Sequence, residues 1–159
     1  MARRTVGPRI RRSRCGKAAR LSFDIESEEN SAILKYSLAW VPMVVIAILN
    51  GAFRELVFAK TLSELRAHQL SCLTGILLFG AYTRLIGLKW PLQSKNQTVA
   101  VGLVWRILTD AFEFTFGRYV AHHSRERLFQ DYNILDGRLW VLVLLAVALL
   151  PTIAFSLRS

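Results

Sequence analysis

Four residues with polar or very small side chains lie on one face of an apolar stretch in the second half of the chain. Arg106, Asp110, Glu113 and Gly117 are spaced so that, at ~100° per residue of α-helix, they share one narrow sector. Arg106 and Asp110 stand four residues apart and can neutralise each other within a helix. Glu113 has no such neighbour one turn away. The prediction of cation binding or proton exchange therefore rests first on Glu113.

Polar residues also gather at the ends of two other apolar stretches. One stretch ends in Asn50, Arg54 and Glu55, and the next begins with His68 and Gln69. If consecutive stretches cross a membrane in alternating directions, these ends lie in the same half of the membrane as Glu113. We expect the acids and the histidine to bind a cation or exchange protons, and the arginines to bind an anionic group. The candidate ligand- or ion-binding residues are Asn50, Arg54, Glu55, His68, Gln69, Arg106, Asp110, Glu113 and Arg118.

The sequence leaves two interpretations of this polar set open. In the first, the residues form a pocket that opens towards the outer face of the membrane. In the second, they form a salt-bridged and hydrogen-bonded clasp that holds the helices together without a ligand. Interhelical polar contacts contribute only ~0.6 kcal/mol on average in membrane proteins, so a clasp of this size would be an inefficient route to stability. That comparison favours the pocket.

No motif of established chemistry accompanies the polar set. His122, His123 and Glu126 are metal-ligand types, but adjacent histidines point to different sides of a helix and a third well-spaced ligand is missing. The two cysteines, Cys15 and Cys72, do not form a Cys-x-x-Cys pair, which argues against a thiol-disulfide oxidoreductase. We therefore predict no catalytic residues, no metal and no cofactor.

Four apolar stretches position these side chains. Residues 36–53 hold no charge over 18 positions and residues 139–157 hold none over 19, which suits a hydrocarbon core of ~30 Å at ~1.5 Å rise per residue. Residues 67–88 form another span if Arg84 snorkels towards the interface, and residues 98–116 are apolar except for three charges. The predicted fold is all-α, a polytopic four-helix transmembrane bundle. A soluble bundle is the weaker alternative, because its helices seldom stay uncharged for so long.

The charge composition of the chain before the first predicted span indicates a separate tail. Nine of the 21 Lys and Arg residues lie in residues 1–35, and an acidic run follows the basic one. We predict that residues 1–34 are a disordered tail and that residues 35–159 form the transmembrane domain. The preference of basic segments for the inner side places the tail in the cytoplasm, and an even number of spans returns the C-terminus there.

The basic tail, in a chain of net charge +10, also suggests partners. We expect it to contact anionic lipids at the membrane surface. Nucleic-acid binding is a weaker interpretation, because no aromatic residue interleaves with the basic ones before Phe23. An organellar presequence, and so an organellar membrane, is the alternative to the inner plasma membrane.

Several short runs carry a resemblance to known proteins. They are NGAFRE at 50–55, AHQLS at 67–71 with TG at 74–75, FEF at 112–114 with FG at 116–117, and DYN at 131–133 with GRLW at 137–140. In these runs the chain resembles small bacterial four-span membrane proteins of no assigned function, over about residues 36–157. The resemblance implies an integral membrane protein in a bacterial inner membrane, and it implies no activity.

The interpretation that best fits these features is a small transporter or channel-like subunit with an ionisable pocket in the outer half of the bundle. Four short helices barely enclose a path, so we expect a homo-oligomer or a place in a larger complex. One alternative is an accessory or assembly subunit of a larger membrane complex. Another is an interfacial lipid-modifying enzyme, which would need a nucleophile or metal that the sequence does not present.

Overall fold

The computed structural model describes residues 10–120, 132–133 and 136–158, and it describes side chains from residue 27 onwards. All regular elements within these residues are helical, so the prediction of an all-α fold is confirmed for the described chain. The four long helices are α1 (Ile10–Phe53), α2 (Glu64–Lys89), α3 (Lys95–Tyr119) and α4 (Trp140–Ser156).

Three of the four apolar stretches fall inside these helices, and the fourth nearly coincides with one. Residues 36–53 are the last part of α1, and residues 67–88 and 98–116 lie within α2 and α3. α4 matches residues 139–157 to within one residue at each end. In an apolar environment, uncharged runs of this length favour helix, because a helix pairs the backbone polar groups within the segment.

Most of the predicted tail lies within the first helix. α1 is 44 residues long and begins at Ile10, so it includes residues 10–34. These residues include several alanines, arginines and glutamates, which are strong helix formers, and proline first occurs within α1 at Pro42. The high charge that suggested disorder is compatible with a helix that continues from an apolar segment.

After its last residue, Phe53, α1 continues into a segment with a different type of helical hydrogen bonding. Residues Arg54–Phe58 form a π-helical segment, in which the backbone N–H of Ala59 donates to the carbonyl of Arg54. One further turn, Ala59–Thr61, completes the helical rod. π-helical segments are rare and frequently lie at functional sites.

The buried core lies where α4 packs against α2 and α3. Trp105 of α3 and the α4 residues Leu144 and Val147 are fully buried, and Val101 is nearly so. The Trp105 Nε1–H donates to the carbonyl of Tyr36 at 2.7 Å, which fastens α1 to α3 through a buried hydrogen bond. The core therefore holds all four helices near the level of Tyr36.

α3 and α4 approach closely at Gly102. A Cβ atom built at this glycine would overlap the backbone carbonyl of Ala148. Only glycine allows two helix backbones to come this near, as in the small-residue contacts of membrane helices. Gly102 thereby sets the distance between α3 and α4.

The outer surface of the bundle is strongly apolar. By length and composition, two stretches can cross a membrane, Ser27–Thr61 and Glu64–Lys89, while the apolar helix Trp140–Ser156 is shorter. Large aliphatic side chains point outwards, including Leu49 at 64 % and Leu77 at 72 % exposure. A water-facing surface rarely carries so continuous an apolar cover.

Candidate functional site

The four helices surround a partly open cavity of about 610 Å³. Its walls change character along α1. Near Met43 and Ala47 the lining is apolar, and Phe79 of α2 and Val147 of α4 complete this apolar end. From Asn50 onwards the lining is polar, and we call the group Asn50, Arg54, Glu55, His68 and Glu113 the polar end.

The polar end contains five of the nine residues that the sequence singled out. They come together because the cavity lies beside the C-terminal ends of α1 and α3, the π-helical segment and the N-terminal part of α2. Arg54, His68 and Glu113 thus line the same cavity, whereas Asp110 does not. Their roles as ligands stay predictions.

Glu113 is held by two neutral hydrogen-bond donors. Its Oε2 accepts from the Tyr132 hydroxyl at 2.7 Å and from the Trp140 Nε1–H at 2.6 Å. Trp140 is the first residue of α4, so the carboxylate ties α3 to the beginning of α4. Burial first, and then the hydrogen bond to Glu113, raise the pKa of the Tyr132 phenol above its usual range. Tyr132 therefore remains a donor throughout the physiological range of pH.

The Asn50 side chain links α1 to α2 through hydrogen bonds. Its amide Nδ2 donates to the carbonyl of Ser71 at 2.8 Å, and its Oδ1 accepts from the Thr74 hydroxyl at 2.9 Å. Gly75 leaves room for this contact, because a Cβ there would stand 3.2 Å from the Asn50 amide nitrogen. The amide of Asn50 thus performs the clasping role that the sequence offered as an alternative for the whole polar set.

Arg54 and Glu55 open the π-helical segment and pair with each other. The Arg54 Nη2 lies 2.7 Å from the Glu55 Oε1. The Glu55 side chain is largely exposed, so the pair is partly solvated. Across the cavity, His68 is 5 % exposed, and its Nε2 lies 3.5 Å from the Cys72 Sγ.

The other four predicted residues do not line the cavity. Gln69 donates to the carbonyl of Gly137 at 3.0 Å, and so holds the chain that enters α4. Arg106 and Asp110 form an ion pair at 2.8 Å, as their spacing predicted. Arg118 is exposed at the end of α3. Arg106, Asp110 and Glu113 share a helical sector, but only Glu113 reaches the cavity.

Comparison with known protein families, with curated proteins and with solved structures found no match. The chemistry of the cavity therefore has to be inferred from its own residues. Within the described parts of the chain, no three His, Cys, Asp or Glu side chains group in a way that could hold a metal ion.

The sequence did not identify the aromatic residues around Glu113. Trp40 and Phe112 line the cavity with ring centroids 6.0 Å apart, and Phe116 stacks on Phe112 at 5.1 Å. The four-residue spacing of Phe112 and Phe116 indicates that these two rings share a helix face. The contact with Trp40 could not be predicted in this way, because it joins two helices that are far apart in the sequence.

Proposed function

We propose that this protein is a four-span integral membrane protein of a bacterial inner membrane whose central cavity binds a small solute, as the subunit of a transporter. The observation that carries the proposal is a large cavity with one polar and one apolar end, inside a bundle whose outer surface is apolar. Such a cavity suits a molecule that has both a polar and an apolar part.

The membrane setting is supported by the distribution of charge over α3. This helix is 25 residues long, or ~37 Å at ~1.5 Å per residue, which exceeds a bilayer core of ~30 Å. Its charged side chains within the apolar stretch have partners, because Arg106 pairs with Asp110 and Glu113 is hydrogen-bonded beside the cavity, while the Asp110 Oδ1 is buried with no hydrogen-bond partner among the described residues. The opposite surface carries Leu103 and Ile107, exposed by 55 % and 65 %. These features support α3 as a membrane-spanning helix despite its low hydropathy.

Binding is supported over a purely structural role by the size of the cavity. Protein interiors are close-packed, and an unfilled volume loses dispersion contacts and stability. A volume of about 610 Å³ lies within the ~300–1,000 Å³ range of small-molecule sites. Asn50 already fastens α1 to α2, so the helices do not need the other polar residues for that purpose.

The length of α1 favours a second candidate, an accessory subunit of a larger complex. Its 44 residues measure ~66 Å, about twice the thickness of the bilayer core. The part of α1 before residue 27 therefore extends beyond the span and offers a helix to a partner. Co-purification of a stoichiometric partner in mild detergent would support this candidate.

Thiol labelling tests whether water reaches the cavity. Gly51 lines the cavity and has open space where a Cβ would stand, so Gly51→Cys is a reporter that fits without strain. Leu49→Cys is the matched control, two residues away on the lipid-facing surface of the same helix. Both are placed in a Cys15→Ser/Cys72→Ser background.

With a neutral, membrane-impermeant maleimide, we expect Gly51→Cys to react much faster than Leu49→Cys. A transporter subunit requires labelling in intact cells, where the reagent meets the outer face, and in inverted vesicles, where the added reagent meets the cytoplasmic face, because its site alternates between the two sides. Equal, slow labelling of both cysteines would overturn the aqueous cavity. Labelling from one side alone would support a solute-binding protein and contradict the proposal of transport.

A further inference from the structure

Side-chain hydrogen bonds join the helices on three sides of the cavity. α1 and α4 each pack against both α2 and α3, so the bundle has four sides. The Asn50 amide joins α1 to α2. Gln69 of α2 donates to the Gly137 carbonyl just before α4 begins, and Trp140 of α4 donates to Glu113 of α3. The fourth side of the bundle lies between α1 and α3.

α1 and α3 are held together at one level and separated by the cavity beyond it. The last hydrogen bond described between them along α1 runs from the Trp40 Nε1–H to the Thr109 hydroxyl, at 3.1 Å. The Trp40 ring also packs against Phe112, with centroids 6.0 Å apart. Beyond these contacts, the end of α1 and the end of α3 both contribute to the cavity wall. Among the described residues, the fourth side is therefore the least closed.

The cavity wall on α1 continues onto the outer surface of the bundle. Val44, Ile48 and Ala52 follow Trp40 at four-residue steps, and each step turns the side chain by ~40° around the helix axis. All three line the cavity, yet Ile48 is 42 % exposed and Ala52 is exposed as well. Side chains that turn away from the bundle axis and still line the cavity mark its opening. The cavity thus opens sideways, between α1 and α3.

This lateral opening leads from an apolar outer surface into the apolar end of the cavity. Outside it, Leu49 of α1 is 64 % exposed. Inside it, Val44 and Ile48 stand at the level of Met43 and Ala47. In a membrane this outer surface meets the acyl chains of lipids, so the opening connects the apolar end with hydrocarbon rather than with water.

We infer that the cavity takes up one acyl chain of a lipid from the surrounding bilayer through the opening between α1 and α3, with the lipid headgroup at the polar end. This inference rests on the proposed function, since it names the source and the class of the solute for the same cavity. The chain would lie along Met43 and Ala47, where the burial of its methylene groups is favourable. The headgroup would stay beside Arg54 and the largely exposed Glu55, near water.

Photo-crosslinking in a bilayer tests this inference on the unaltered chain. The full-length protein is placed in nanodiscs of phosphatidylglycerol, of which a small fraction carries a carbene-forming diazirine in one acyl chain. Mass spectrometry then locates the modified residues. We expect adducts at Ala47, which follows the buried Met43 by four residues on the inward face of α1, as well as at the lipid-facing Leu77. Leu144 is fully buried and outside the cavity lining, so it should stay unmodified.

A second comparison assigns the entry of the chain to the lateral opening. Ile48→Trp places a larger side chain there, and we expect the ratio of adducts at Ala47 to adducts at Leu77 to fall at least about tenfold, the effect of excluding about two methylene groups. Leu49→Trp is the matched control, one residue along and outside the cavity lining, and it should leave this ratio unchanged. Ala52→Trp blocks the same opening one turn further along and replaces Ile48→Trp if that variant does not fold.

Adducts confined to lipid-facing residues such as Leu77 would overturn the inference. If Gly51→Cys still reacts with the maleimide in that case, the cavity takes its solute from water and the proposed function stands. An unchanged ratio in a folded Ile48→Trp or Ala52→Trp protein, or equal adducts at Ala47 and Leu144, would also overturn the inference. A Gly51→Cys thiol that does not react at all would instead contradict the proposed function.

Discussion

At the scale of single residues, Glu113 and Tyr132 show how an ionisable side chain is kept in position within an apolar bundle. A carboxylate oxygen that accepts two short hydrogen bonds is oriented by both donors. The Tyr132 ring also stacks on Phe114, with centroids 6.1 Å apart. Removing the hydroxyl should therefore leave the ring in place and weaken only the support of the carboxylate.

We predict that Tyr132→Phe lowers the free energy of unfolding by about 1 kcal/mol at neutral pH, the ordinary contribution of one hydrogen bond. Because the folded state raises the pKa of Tyr132, the stability linked to its proton is present below about pH 10 and is lost as pH rises through the raised value. The variant should therefore lose less stability than the wild type in alkaline solution. Unfolding in detergent followed by circular dichroism across pH measures both effects.

The matched control is Tyr119→Phe, because Tyr119 is 75 % exposed. It should change neither the neutral stability nor its alkaline decline. If Tyr132→Phe and Tyr119→Phe behave alike, the hydrogen bond to Glu113 does not contribute to stability.

At the scale of helices, the spacing of α3 and α4 depends on one glycine. We predict that Gly102→Ala destabilises the bundle by about 1–3 kcal/mol, the usual effect of overpacking, because the new methyl group must displace the backbone of Ala148. Gly87→Ala is the control, since a Cβ at Gly87 in α2 meets nothing within 4 Å. It should be neutral or stabilising, because alanine favours helix over glycine. Thermal unfolding of both variants in the same detergent measures the difference, and equal losses would show that the close contact is unimportant.

The positions of the helices could be predicted from the sequence, and much of the cavity could not. Uncharged runs mark helical spans locally, and a helical period places Glu113 on one face with Asp110. Which part of that face reaches the cavity depends on how α4 and the chain before it pack, as the contacts of Tyr132 and Trp140 show. The helical start of α1 was missed because charge density suggested disorder, although the same residues favour helix.

At the scale of the whole molecule, the proposed four-span arrangement predicts where the termini lie. We predict that tags at residue 2 and residue 159 both report the cytoplasm, because four crossings return the chain to its starting side. Alkaline phosphatase and green fluorescent protein fusions at each end measure this. Tags on opposite sides would show an odd number of crossings, most simply because α3, with its three intramembrane charges, does not insert.

The π-helical segment after α1 makes the chain more sensitive to changes of length than to changes of residue. Its wider turn accommodates about one residue more than an α-helical turn. The side chains beyond Phe58 therefore point in directions around the helix axis that an unbroken α-helix would not give them. Deleting one residue between Arg54 and Phe58 would restore the α-helical ladder and rotate the two flanking parts of the rod by ~100° relative to each other. Homologous chains that preserve this cavity should therefore exclude insertions and deletions here.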